Sequence, residues 1–174
     1  SMVSSLRSER ADRRLQAEQT IADAWGSATR VSGPIIAVPQ RQLIREEKVT
    51  REIWTWWYVL ADEINADVSV SVEERHKGIY SMPVYTADVR IRGKFSSIAA
   101  QIPQTDGELI WSRAELLLPI SDPAGMRALN ARVGEATGLR LVPSSRQVSG
   151  MSMFHTESLS MDPAVDLDFE FTLK

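Results

Sequence analysis

Apolar and polar residues alternate with a period of two along much of this chain. That period predicts strands, because successive side chains on a strand point to opposite faces. The clearest case sets Tyr85, Ala87, Val89, Ile91, Gly93 and Phe95 on one face and Asp88, Arg90, Arg92 and Lys94 on the other. Tyr85, Val89, Ile91 and Phe95 are expected to face the core, since a one-residue slip would bury the charged residues instead. Upstream, Ala66, Val68, Val70 and Val72 alternate with Asp67, Ser69 and Ser71, which assigns the valines to the core face. At the end of the chain Val165, Leu167, Phe169, Phe171 and Leu173 alternate with Asp166, Asp168, Glu170 and Thr172.

The remaining segments fit the same picture. Ile35 to Val38 is a short apolar run bounded by Pro34 and Pro39, suited to a short buried strand, and Arg41 to Leu60 is dense in β-formers. Leu109 to Leu118 reads as a further strand, with turns around Gly134, Gly138 and Pro143. Two segments break the pattern. Ser5 to Trp25 has no proline or glycine and carries Ala11, Leu15, Ala22 and Trp25 at helical spacing, which predicts an N-terminal helix within residues 1–26. Asp122 and Pro123 suit the N-cap and first position of a short helix near 122–130.

Strands that follow strands without intervening helices exclude a regular parallel sheet. The expected class is mainly β, with antiparallel, sandwich-like sheets over 33–174, the N-terminal helix and the short helix. The last alternation is still running at Lys174, so the domain is expected to be truncated at its C-terminus, with a strand edge left unpaired if the partner of the last strand lies in the remainder. Ser1 before Met2 reads like the remnant of a removed tag.

Composition narrows the function classes. The 174 residues carry 20 basic and 23 acidic side chains, a net charge of -3, so no excess of positive charge exists to neutralise phosphates, and nucleic acid is not an expected partner. Without cysteine there is no disulfide, thiolate zinc site or cysteine nucleophile. No run approaches the roughly 18 apolar residues of a spanning helix.

Several clusters then point to a family. Glu9-Arg10-Ala11-Asp12-Arg13-Arg14 resembles the segment that follows the first membrane helix of the cell envelope integrity inner membrane protein CreD family. Gly33-Pro34-Ile35-Ile36-Ala37-Val38-Pro39 is similar to that family's Gly-Pro-x-x-x-x-Pro element. The most specific likeness is Glu74-Arg75-His76-Lys77-Gly78-Ile79-Tyr80, followed by Val84-Tyr85-Thr86-Ala87-Asp88 and then Gly93 and Phe95. Val59-Leu60-Ala61 stands where family members often carry a Phe-Leu-Pro-like element, so the turn there is expected to differ.

The resemblance implies a β-rich periplasmic domain at the bacterial inner membrane, with residues 1–26 membrane-proximal and the anchoring helices outside this chain. It also implies a part in envelope integrity, envelope stress response and colicin tolerance. It brings no catalytic residues, and the expectation is a non-enzyme whose partners are the rest of its own chain and an envelope lipid, glycan or protein.

The residues themselves offer little chemistry. His76 lies three residues after Glu73 and beside Glu74, a helical metal-binding spacing, but the flanking pattern is strand or turn, where such residues diverge. The second histidine, His155, is expected on the surface of a strand. Asp62 with Glu63, and Asp166, Asp168 and Glu170, resemble paired acids of glycoside cleavage, yet the trio alternates with core residues as a wet strand face does. No nucleophile elbow, phosphate loop or dinucleotide fingerprint occurs. No catalytic, metal or cofactor site is therefore expected.

Two surfaces remain as candidates. Trp54, Trp56, Trp57 and Tyr58 are clustered, and adjacent Trp56 and Trp57 cannot both face one core on a regular strand. One ring is expected in the main core and the other beneath the N-terminal helix, with a lipid- or glycan-binding face as the alternative. Arg90, Arg92 and Lys94 form a basic strip that would suit anionic headgroups or glycans, set against its reading as a solvated sheet face.

Overall fold

The computed structural model describes Arg13, Leu15, Gln16 and residues 30–121, 123, 126–148 and 151–174. Two antiparallel sheets account for most of them. The first has the strand order β2-β1-β6-β10-β9, from β1 (Ile35–Glu46), β2 (Val49–Leu60), β6 (Glu115–Ile120), β9 (Leu141–Val148) and β10 (Met151–Thr156), with the short β5 (Glu108–Leu109) beside β1. The second has the order β3-β4-β11-β7-β8, from β3 (Glu63–Lys77), β4 (Tyr80–Phe95), β7 (Leu129–Val133), β8 (Ala136–Leu139) and β11 (Leu167–Leu173). Apolar residues from both sheets meet in one core: Ile36, Val38, Val59, Leu116, Leu118 and Phe154 from the first, and Ile91, Phe95, Val133, Phe169 and Phe171 from the second. The expected mainly β class of antiparallel sheets is what the chain adopts.

Local chemistry explains how these strands run. β1 does not stop at Pro39 but passes through it to Glu46. Proline cannot donate to a ladder, so it is tolerated only where no acceptor waits. That condition is met here, because β6 pairs only with Ile35 to Ala37 and β5 only with Gln40 and Arg41, while the Pro39 carbonyl accepts the Ile110 N–H at 2.9 Å. The expected strand over Leu109 to Leu118 is likewise broken, by a 3-10 turn at Trp111–Arg113 that separates β5 from β6.

The short helix expected near 122–130 is corrected. Leu129 opens strand β7, with Leu129, Ala131 and Val133 pairing to Leu173, Phe171 and Phe169 of β11. Its alternation of apolar with Asn130 and Arg132 is the signal that outranks the local capping pair, because the strand gains a ladder and a core face together. Among the described residues no α-helical element follows β1. The expected N-terminal helix lies outside the described residues apart from Arg13, Leu15 and Gln16, and gains no support.

β11 is a second correction. It lies inside the second sheet, between β4 and β7, so the unpaired edge expected at the C-terminus does not exist. The Lys174 carbonyl also accepts the Ala128 N–H, at 3.1 Å, and the Lys174 N–H returns a bond to Ala128 at 3.0 Å.

The two long hairpins outrun their sheets. β4 pairs with β11 only from Val89 to Phe95, yet its ladder with β3 continues to Tyr80 opposite Lys77. Beyond Val89 the β3–β4 hairpin is a two-stranded arm. Ile91 and Phe95 are core residues and Val89 packs partly against them, as expected. Tyr85 stands on the same face of the same strand and is 65% exposed, because β11 has ended below it. Val68, Val70 and Val72 are likewise exposed, at 59%, 56% and 59%, which overturns their assignment to the core.

Candidate interaction surfaces

The tryptophan cluster is divided by the pleat of β2. Trp57 points inward against the core, and its indole Nε1–H donates to Gln40 Oε1 at 2.9 Å. Trp56 points to the outer face, where it packs on Ala37, Leu117 and Met153. The guanidinium of Arg146 lies 3.7 Å from the centroid of the Trp56 ring, at cation-π distance. Trp54 and Tyr58 share that outer face with Trp56 by the period of the strand and remain 43% and 51% exposed. Arg113 sits 5.2 Å above Trp54. The expectation of one ring in the main core holds for Trp57; the second ring is covered by Arg146 among the described residues.

Gln40 is a buried polar residue that no pattern in the sequence singles out. Its Nε2 donates to Thr105 Oγ1, its Oε1 accepts from Trp57, and Gly107 lies so close that an added Cβ would come within 2.6 Å of its side chain. The loop 102–107 is thus fastened to β1 and β2 through one amide. Replacing Gln40 with alanine is expected to cost about 1–3 kcal/mol, the desolvation penalty of the groups left unpaired. Urea denaturation checks the size of the loss, and a shift in Trp57 fluorescence checks its location.

Two of the three residues of the basic strip are paired with acids where they stand. Arg92 Nη2 lies 2.5 Å from Asp67 and Lys94 Nζ 3.1 Å from Asp166. The hydrogen bond from Lys94, with a second from the Ser97 N–H, lowers the Asp166 carboxyl below its ordinary value; the same bond and the facing charge raise Lys94. Arg90 lines an open depression of about 650 Å³ on this sheet, together with Asp67, Ser69, Asp88, Asn130 and Lys174. Lys174 and Asp88 are 3.5 Å apart across it. Such exposed pairs make the strip a solvated face with little net positive field.

The histidines and acids do not converge. His76 Nε2 is 4.0 Å from Glu74 and both are exposed. His155 Nδ1 lies 3.0 Å from the Thr156 carbonyl and 3.9 Å from Glu115, which also faces Arg146 at 3.7 Å. Asp62 accepts the Ser96 N–H, a structural role at the end of β4. Among the described residues no group of His, Asp and Glu could hold a metal ion.

What the geometry does present is a continuous apolar stripe. Val68, Val70 and Val72 face Val89, Ala87 and Tyr85 across the hairpin, on the side that becomes the core face lower down. A run of this kind in an otherwise charged surface marks an interaction site more often than a scatter of single apolar residues does.

Comparison with known proteins now places the chain. The family model described as "Inner membrane protein CreD" matches residues 1–174. The chain belongs to the CreD family. Inner membrane protein CreD of Escherichia coli (strain K12) is 25% identical to it over 154 residues, which is 84% of this chain and 33% of that protein. The chain thus spans about a third of the length of its curated CreD relative. No solved structure matches this CreD-family chain. Among the described residues no helix is long and apolar enough to cross a membrane.

Proposed function

We propose that this chain is a non-catalytic periplasmic domain of a CreD-family inner membrane protein, and that it supports envelope integrity by contact with other envelope components or with the rest of its own chain. The observation that carries the reading is the exposed apolar stripe of Val68, Val70, Val72 and Tyr85 on a hairpin arm that leaves its sheet. An enzyme would be expected to gather titratable groups in a cleft, whereas among the described residues the histidines and candidate acids lie apart on open strand faces. The periplasmic placement is supported by the likeness of Glu9 to Phe95 to the region after the family's first membrane helix. The envelope stress role and colicin tolerance come from the same likeness.

The test replaces Val68, Val70 and Val72 with threonine in the protein at its full encoded length, keeping β-branched shape while removing the apolar contact. Loss of colicin tolerance or of resistance to envelope-directed agents, at unchanged abundance in the membrane, supports the reading. Undiminished tolerance in that variant would sink it. A second reading, a lipid- or glycan-binding face, is favoured by Trp54 and Tyr58 standing half exposed on one side of β2. Tryptophan fluorescence titrated with lipid vesicles and peptidoglycan fragments separates the two.

A further inference from the structure

The edge of the β3–β4 arm is distinct from its apolar face. β3 is an edge strand of 15 residues, exposed at every position. It pairs with β4 through an unbroken register from Glu63 opposite Lys94 to Lys77 opposite Tyr80, without a bulge. Its outer side therefore offers a straight row of backbone donors and acceptors. Native edges are normally blunted by proline, bulges, shortness or inward charges. Other edges of this molecule show such devices: β8 has four residues, and β9 contains Pro143 and pairs to β10 with a register shift. β3 contains neither proline nor glycine between Glu63 and Lys77.

We propose that β3 pairs antiparallel with β3 of a second copy, centred on Val70, joining two second sheets into one across a two-fold axis. The middle and the two ends of the strand match their own reverse in that register, while Ile64 and Ala66 fall opposite His76 and Glu74. Glu63 falls opposite Lys77, Val68 opposite Val72, Ser69 opposite Ser71, and Val70 opposite itself. Asp67 falls opposite Glu73, but each already holds its own arginine, Arg92 at 2.5 Å and Arg75 at 2.7 Å, so the four charges cancel. Directly opposed residues share a face, so the apolar stripes of the two copies become continuous. Shifting the centre to Ser71 sets Val68, in place of the smaller Ala66, against Glu74 and removes the pairing of Glu63 with Lys77. β2, the other long edge, lacks this property: its charges, Arg51 and Glu52, lie at one end, and self-pairing along its length would set them against tryptophan and tyrosine. A closed isologous contact of this kind makes a dimer and not a fibre.

Residues 1–174 contain no cysteine, so one introduced thiol reports on one place once any cysteine elsewhere in the full encoded length is replaced by serine. In the protein at its full encoded length, Val70→Cys is expected to form a disulfide-linked dimer under mild oxidation. Thr137→Cys, on the opposite edge of the same sheet, should cross-link at least tenfold more slowly. Val70→Lys and Val70→Glu each set like charges on the axis and should sediment as monomers, and an equimolar mixture should regain the dimer. Circular dichroism of both variants guards against misfolding. A wild-type protein that is monomeric over a wide concentration range overturns the proposal, and so does Val70→Cys that fails to cross-link. A mixture that stays monomeric overturns the register. Protected β3 amides in a monomer would mean that a different strand covers this edge. These readouts are mass and cross-linking, so their failure leaves the envelope phenotype of the threonine variant to be judged separately.

Discussion

Replacing Phe95 with alanine is expected to destabilise the domain by about 3–5 kcal/mol, the range for losing a buried aromatic ring and leaving a cavity. Phe95 is fully buried where β4 meets β11, opposite Leu167. Its ring centroid lies 5.3 Å from that of Phe169 at an interplanar angle of 53°, and Phe169 continues to Phe171 at 5.8 Å and 47°. Tilted pairs at these distances add to the burial term, and the close packing of both sheets around them limits collapse into the void. Chemical denaturation with an unchanged slope is the measurement. Tyr85→Ala supplies the comparison on the same face of the same strand, and its exposure limits the change to about 0.5 kcal/mol. A Phe95→Ala loss under about 1 kcal/mol would mean that β4 does not lie in this register.

Gly93→Ala should cost about 3 kcal/mol or more, despite adding a single methyl group, because overpacking is relieved only where a neighbour can yield. A Cβ built on Gly93 falls well inside van der Waals contact of the Glu63 carbonyl oxygen and 2.5 Å from Cζ of Phe169. Neither neighbour is free to move. Glu63 is held in the ladder opposite Lys94, next to the bond from the Asp62 N–H to the Lys94 carbonyl at 2.9 Å. Phe169 is locked between Phe95 and Phe171. The glycine is thus the place where a backbone and a ring approach the strand at once. Thermal and urea unfolding check the loss, and a Gly93→Ala protein as stable as the parent would show that the base of β3 is not held against β4.

The candidate surface was only partly readable in advance. The division of Trp56 from Trp57 follows from the pleat alone, so it could be stated before any fold was known. Which ring met the core could not, nor that Arg146, 90 residues away from Trp56 along the chain, would cover the outer one. The basic strip looked positive because its acids, Asp67 and Asp166, come from separate segments. Gln40 carried no signal, since its partners Thr105 and Trp57 are brought to it by a loop and a neighbouring strand.

The sequence by itself determined the strands and their faces: alternation in 85–95 and 167–173 fixes which side chains share a side, because the pleat has a period of two whatever lies above it. It did not determine how far a covering sheet extends. Val70 and Tyr85 alternate as regularly as Ile91 and Phe95 do, yet the first pair is exposed and the second buried. Burial depends on a third strand and a facing sheet arriving at the same height, and β11 reaches β4 only as far as Val89. The same reason placed the final strand inside its sheet and turned 129–133 into a strand, since each gains its hydrogen bonds from partners distant in the chain. Local pattern sets the direction in which a side chain points, and the assembled sheets decide whether water is waiting there.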